Sequence, residues 1–84
     1  MSTKTKQKLP SWFDGELYEE GDTVSNPYSG EEIELTAVEL SMYDFVMGSV
    51  IMSEMGMMDV IPNLRRGLDW FRTHNATAYM VLLD

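Results

Sequence analysis

The sequence predicts an α+β fold: an N-terminal β-hairpin packed on a small bundle of two to three helices, one of them long and central. Three observations predict it. Glu32-Ile33-Glu34-Leu35 alternates polar and apolar with the strand period of two, directly after a connection punctuated by Pro27 and Gly30. Thr36-Ala37-Val38-Glu39 matches a helix capping box and opens a long, mainly apolar run. A further run beginning at Pro62 places Leu64, Leu68 and Phe71 on one helical face. The chain has 84 residues, the scale of one domain. A domain of this size buries only about 60% of the surface its unfolded chain exposes, so apolar positions have to be used efficiently. Residues 1–8 are polar and carry Lys4, Lys6 and Lys8; they read as a flexible basic tail on a single domain of residues 9–84.

Taken in order, Leu9-Pro10-Ser11-Trp12-Phe13 is the first apolar segment. Pro10 keeps it extended or turn-like, and Trp12 and Phe13 are expected to pack on the body. Thr23-Val24-Ser25 and Glu32 to Leu35 flank Asn26-Pro27-Tyr28-Ser29-Gly30 as a hairpin, with Ile33 and Leu35 on one face. Asn26 is suited to bond its own backbone in the turn. An isolated hairpin is marginal in water, so it needs an apolar support.

The support is the helix expected from Ala37 to Met55, with Thr36 as N-cap and Gly56 just past its end. Its apolar arc is wide and leaves one narrow polar or small strip: Ala37, Ser41, Asp44 and Gly48. Such a helix is either the centre of a small fold or part of an oligomer interface. Phe45 is expected to be almost fully buried there. In the following helix Gly67 marks a close approach of another backbone or a weak point. Asn75 can end that helix and cap the next segment. Residues 76–83 are short and apolar, and periodicity alone does not separate helix from strand; the N-cap residue and the spacing of Tyr79, Leu82 and Leu83 favour a helix.

Charge narrows the partners. Lys and Arg number 6 against 14 Asp and Glu, giving a net charge of −8. Between Lys8 and Arg65 there are only negative charges, and Arg65, Arg66 and Arg72 cluster near the C-terminus. A phosphate backbone is repelled by such a surface, so direct nucleic-acid binding is not expected. No stretch reaches the roughly 20 apolar residues of a membrane span, and the N-terminus lacks the apolar core of a secretory signal. The expectation is a cytoplasmic protein without a membrane partner. With no cysteine, a disulfide scaffold, a zinc ribbon and a thiol nucleophile are excluded.

Catalytic, cofactor-binding and metal-ligating sets do not emerge. His74 is the only histidine, and its place near a helix C-terminus suits capping. Glycine-rich phosphate loops and calcium-loop spacing are absent. The methionine content is unusual, 8 in 84. Met42, Met47, Met52, Met55, Met57 and Met58 lie close together. Methionine fills irregular cores, and it also makes adaptable docking surfaces. The candidates for protein interaction are therefore Met52, Met55, Met57 and Met58, the part of the cluster at the end of the long helix, with Arg65, Arg66 and Arg72 as cations. For the arginines, pairing with the protein's own acidic surface is the favoured expectation, ahead of an acidic partner or a phosphate.

Two stretches, Ser25-Asn26-Pro27-Tyr28-Ser29-Gly30-Glu31-Glu32-Ile33-Glu34-Leu35-Thr36 and Gly67-Leu68-Asp69-Trp70-Phe71-Arg72 through Tyr79-Met80-Val81-Leu82-Leu83-Asp84, resemble small proteins encoded by marine T4-like bacteriophages of cyanobacteria. The resemblance implies an intracellular protein made during infection and carries over no functional residue. The function expected is a small non-enzymatic protein-interaction module, binding itself or a host or viral protein, most simply as a two-fold homodimer. The alternatives are an acidic DNA-mimicking inhibitor and a small enzyme without a recognisable motif.

Overall fold

The structure is a computed structural model that describes residues 8–83. Strands β1 (Asp22–Ser25) and β2 (Glu32–Leu35) form the hairpin. Helix α1 (Ala37–Glu54) follows, then a 3-10 turn (Met58–Val60), helix α2 (Ile61–His74) and a short helix α3 (Ala76–Ala78) that widens into a π-helical turn (Tyr79–Leu83). This is the expected α+β arrangement, with one long helix between the hairpin and the shorter helices. The tail expectation falls outside the described residues except at Lys8, which is exposed.

The hairpin register pairs Val24 with Ile33 and Asp22 with Leu35, so Val24, Ile33 and Leu35 share the inner face. Its turn is built by Asn26. The side-chain Oδ1 accepts from the Tyr28 and Ser29 amides at 2.7 and 3.2 Å. The Asn26 amide donates to the Glu31 carbonyl at 2.8 Å, and Gly30 takes the positive φ of 81° that closes the loop.

α1 begins where the capping pattern places it. Thr36 Oγ1 accepts from the Glu39 amide at 3.2 Å, and Glu39 Oε1 accepts from the Thr36 amide at 2.9 Å. It ends in a Schellman arrangement: the Gly56 amide donates to Ser53, the Met57 amide to Met52, each at 3.0 Å, and Gly56 has φ 93°. Pro62 lies in the first turn of α2.

Leu35, Met42, Val46, Trp70, Phe71 and Ala78 form the buried core. α1 and α2 meet at Gly67, where a Cβ would stand 2.5 Å from Val46 Cγ2. Glycine is there because a side chain has no room. The segment after Asn75 is helical, as its N-cap predicts: Asn75 Oδ1 accepts from the Ala78 amide at 3.1 Å.

Two side chains tie these pieces across long distances in the chain. Glu39 is only 4% exposed, and its second carboxylate oxygen accepts from Asn75 Nδ2 at 3.0 Å. Asn26 Nδ2 donates to the Val81 carbonyl at 2.8 Å, joining the hairpin turn to the π-helical end.

Phe45 corrects an expectation: it is half-buried. α1 turns Met42, Val46 and Ser49 inward, which leaves Phe45 on the flank. Its cover there is the irregular N-terminal segment, with the Phe13 and Trp12 rings at 5.2 and 6.0 Å. The narrow strip of small residues on α1 is also partly covered. Ser41 is buried, donating to the Ala37 carbonyl at 2.8 Å and accepting from the Tyr18 amide at 2.9 Å. Small side chains on that side allow the backbone of the N-terminal segment to approach the helix.

The two helix-interior glycines give one prediction. Gly48 faces open space, since a Cβ there meets nothing within 4 Å. Gly48→Ala should stabilise the fold by about 1 kcal/mol through helix propensity. Gly67→Ala gains the same propensity but forces Val46 and α2 apart, and should destabilise by about 1 to 3 kcal/mol. Urea denaturation of the two variants should move the midpoint in opposite directions. A Gly67→Ala protein as stable as Gly48→Ala would place the α1–α2 contact elsewhere.

Candidate protein-docking face

The methionines divide into two groups. Met42 is fully buried and serves as core, and Met47 is half-buried. Met52, Met55, Met57 and Met58 are exposed to 42, 72, 46 and 64%, and Ile51 to 56%. These residues occupy the last turn of α1 and the corner leading into α2. The Schellman bonds hold the corner backbone, so flexible side chains project from a fixed frame. Glu54 and Asp59 are exposed within the same stretch.

A groove of 340 Å³ adjoins this corner and shares Met52 with it. Gly15, Phe45, Gly48 and Val60 line it, and Asp14, Asp44, Ser49 and Asn63 are its polar members. Gly48 leaves the space open. Asp14 and Asp44 are both exposed, and neither forms an ion pair among the described residues. Sequence reasoning did not find this groove: Asp14 reaches α1 only because the N-terminal segment is laid over Ser41, a contact with no local sequence signal.

The arginines do not all belong to the face. Arg72 donates to Asp69 and to Tyr79 Oη, the latter at 3.1 Å, and its guanidinium lies 5.0 Å over the Tyr79 ring. The hydrogen bond it donates to Asp69 is the main reason its pKa is raised above the ordinary arginine value; burial opposes the rise. Arg66 donates to Asn63 Oδ1 at 3.3 Å and lies 5.9 Å over the Trp12 ring. Both are engaged by their own surface. Arg65 is exposed and forms no ion pair among the described residues.

His74 caps α2. Its Nδ1 is 2.9 Å from the Trp70 carbonyl, which can only accept, and its ring stacks on Trp70 at 4.3 Å. Together with Pro10, Trp12, Arg66, Asp69 and Thr73 these two rings line a shallow cleft of 290 Å³. A third, polar groove of 470 Å³ runs beside the hairpin strands between Gly21 and Thr36. Among the described residues no three acidic or histidine side chains are grouped to hold a metal ion, and no helix is long and apolar enough to cross a membrane.

No family model matches the chain, and no curated protein or solved structure is significantly similar to it.

Electrostatics near the groove gives a second prediction. The Tyr18 phenol is raised above its ordinary value of 10.0, first by partial removal from water and then by the negative charges of Asp44 and Glu16. Burial alone raises Tyr43. The folded protein therefore holds phenolic protons at pH values where the unfolded chain has released them. Stability contributed in this way is complete below pH 10.0 and declines as pH rises through the raised values. The urea midpoint should hold up to pH 10.0 and fall as pH rises above it, and Asp44→Asn should make the fall shallower. An unchanged slope in Asp44→Asn would separate Asp44 from Tyr18.

Proposed function

We propose that the protein is a small non-enzymatic interaction module and that the corner formed by Ile51, Met52, Met55, Met57 and Met58 is its docking face. One observation carries this reading: five large apolar side chains between Ile51 and Met58 are exposed, to between 42 and 72%, beside a core in which Met42 is at 0%. Single exposed apolar residues are ordinary, whereas a contiguous patch on a small monomer is a liability unless something covers it. Thioether side chains re-pack against differently shaped partners with little strain, which suits a face that must accept another surface.

The partner is a protein. A second copy, giving a two-fold homodimer, is one occupant of an exposed apolar corner. A host or viral protein is the other. The place of action proposed with it, the cytoplasm of an infected cell, rests on the two sequence stretches that resemble cyanophage proteins and on nothing else.

Incorporation of a photoreactive methionine analogue in producing cells tests the face. Met80 is 63% exposed and provides an internal reference away from the corner. Cross-links should map to Met55 and Met58 well above Met80. Equal yields at Met80 would remove the basis for a docking face. Met55→Ser with Met58→Ser should abolish the corner cross-links while changing stability by no more than about 0.5 kcal/mol, because both are surface positions.

A further inference from the structure

We infer that the occupant of this face is a basic amphipathic helix of another protein, its apolar stripe on the methionine corner and a lysine or arginine seated between Asp14 and Asp44. This rests on the reading of the corner as a docking face and adds the chemistry of what docks.

The groove and the corner are continuous through Met52. The floor is Phe45, Gly48 and Met52, suited to the aliphatic stem of a long cationic side chain. The carboxylates of Asp14 and Asp44 line the same groove; neither forms an ion pair among the described residues, and Asp44 is hydrogen-bonded to the Tyr18 phenol, which leaves its negative charge in place. Between Ile51 and Val60 the charged residues are Glu54 and Asp59, both exposed among the methionines. An apolar pad edged by carboxylates complements a helix that is apolar at i, i+3, i+4 and i+7 and cationic beside that stripe.

The same charges disfavour a second copy. A two-fold contact puts the same patch on both sides, so a patch that carries Asp44, Glu54 and Asp59 is faced by a second one with the same negative charges. Arg65 is the arginine left to offset them. Like charges placed across an interface select against that partner.

A labelled synthetic peptide with leucine on one helical face and lysine on the other is the probe, titrated into the full chain at about 0.15 M salt to suppress long-range attraction. It should bind, and Asp14→Asn with Asp44→Asn should weaken it about tenfold or more. Glu32→Gln with Glu34→Gln removes the same charge from the exposed edge of the hairpin and should change the affinity less than about twofold. A leucine–glutamate peptide of the same pattern should not bind. Equal weakening by both double variants would reduce the effect to general acidity and overturn the inference. If both peptides bind alike and both are lost in Met55→Ser with Met58→Ser, the docking face stands and its charge selectivity does not. Light scattering that shows a dimer dissociated by those serine substitutions would make a second copy the occupant and again overturn only the inference. Absence of any binding by a monomeric protein would overturn the inference and the docking face together.

Discussion

The carboxylate of Glu39 is shared between two pieces of backbone that are far apart in the chain. One oxygen closes the capping box at the start of α1, and the other receives the Asn75 side chain at the junction of α2 and α3. Asn75 in turn caps the last helix with its carbonyl oxygen. A buried carboxylate is tolerated only when hydrogen bonds replace its water, and these do so. The geometry thereby fixes three things at once: where α1 starts, where α2 stops and how the C-terminal helix leaves it. The hydrophobic contacts between α1 and α2 then need only set their separation. Gly67 sets it at a distance that a side chain would not permit.

Local rules made these elements legible in the sequence. Thr36 and Glu39, Gly56, Pro62 and Asn75 are signals read within four residues, and each does in the structure what its type predicts. Asn26 and Gly30 likewise build the hairpin turn. What periodicity did not reveal was the direction α1 faces. A helix apolar on most sides presents several equivalent arcs, and the choice among them depends on the rest of the chain. The inward arc proved to contain Met42, Val46 and Ser49, with Phe45 at its edge. Ser41, polar by composition, is buried because an irregular strand of backbone needed a small neighbour and a hydroxyl partner.

The candidate site was half legible for the same reason. The density of methionine near the end of the long helix marks the corner, because a fold this small has limited interior to absorb it. The groove beside the corner depends on Asp14 and Asp44 being brought together by the path of the N-terminal segment, and no spacing records that path. The arginines show the converse. They are neighbours in sequence, yet Arg66 and Arg72 are turned to Asn63, Trp12, Asp69 and Tyr79 on their own surface.

The bond from Asn26 to the Val81 carbonyl spans 55 positions. Hairpin turns and helix pairs form from neighbours and close small loops quickly, whereas a contact between distant residues carries a larger loss of chain entropy before it gives anything back. Closing this loop carries that larger entropy loss, and the bond joins the first regular element to the last. Hairpin and helices consequently gain their stability together: neither half is a separable module, and the chain behaves as one cooperative unit in which loosening the C-terminal turn also loosens the hairpin that leads into α1.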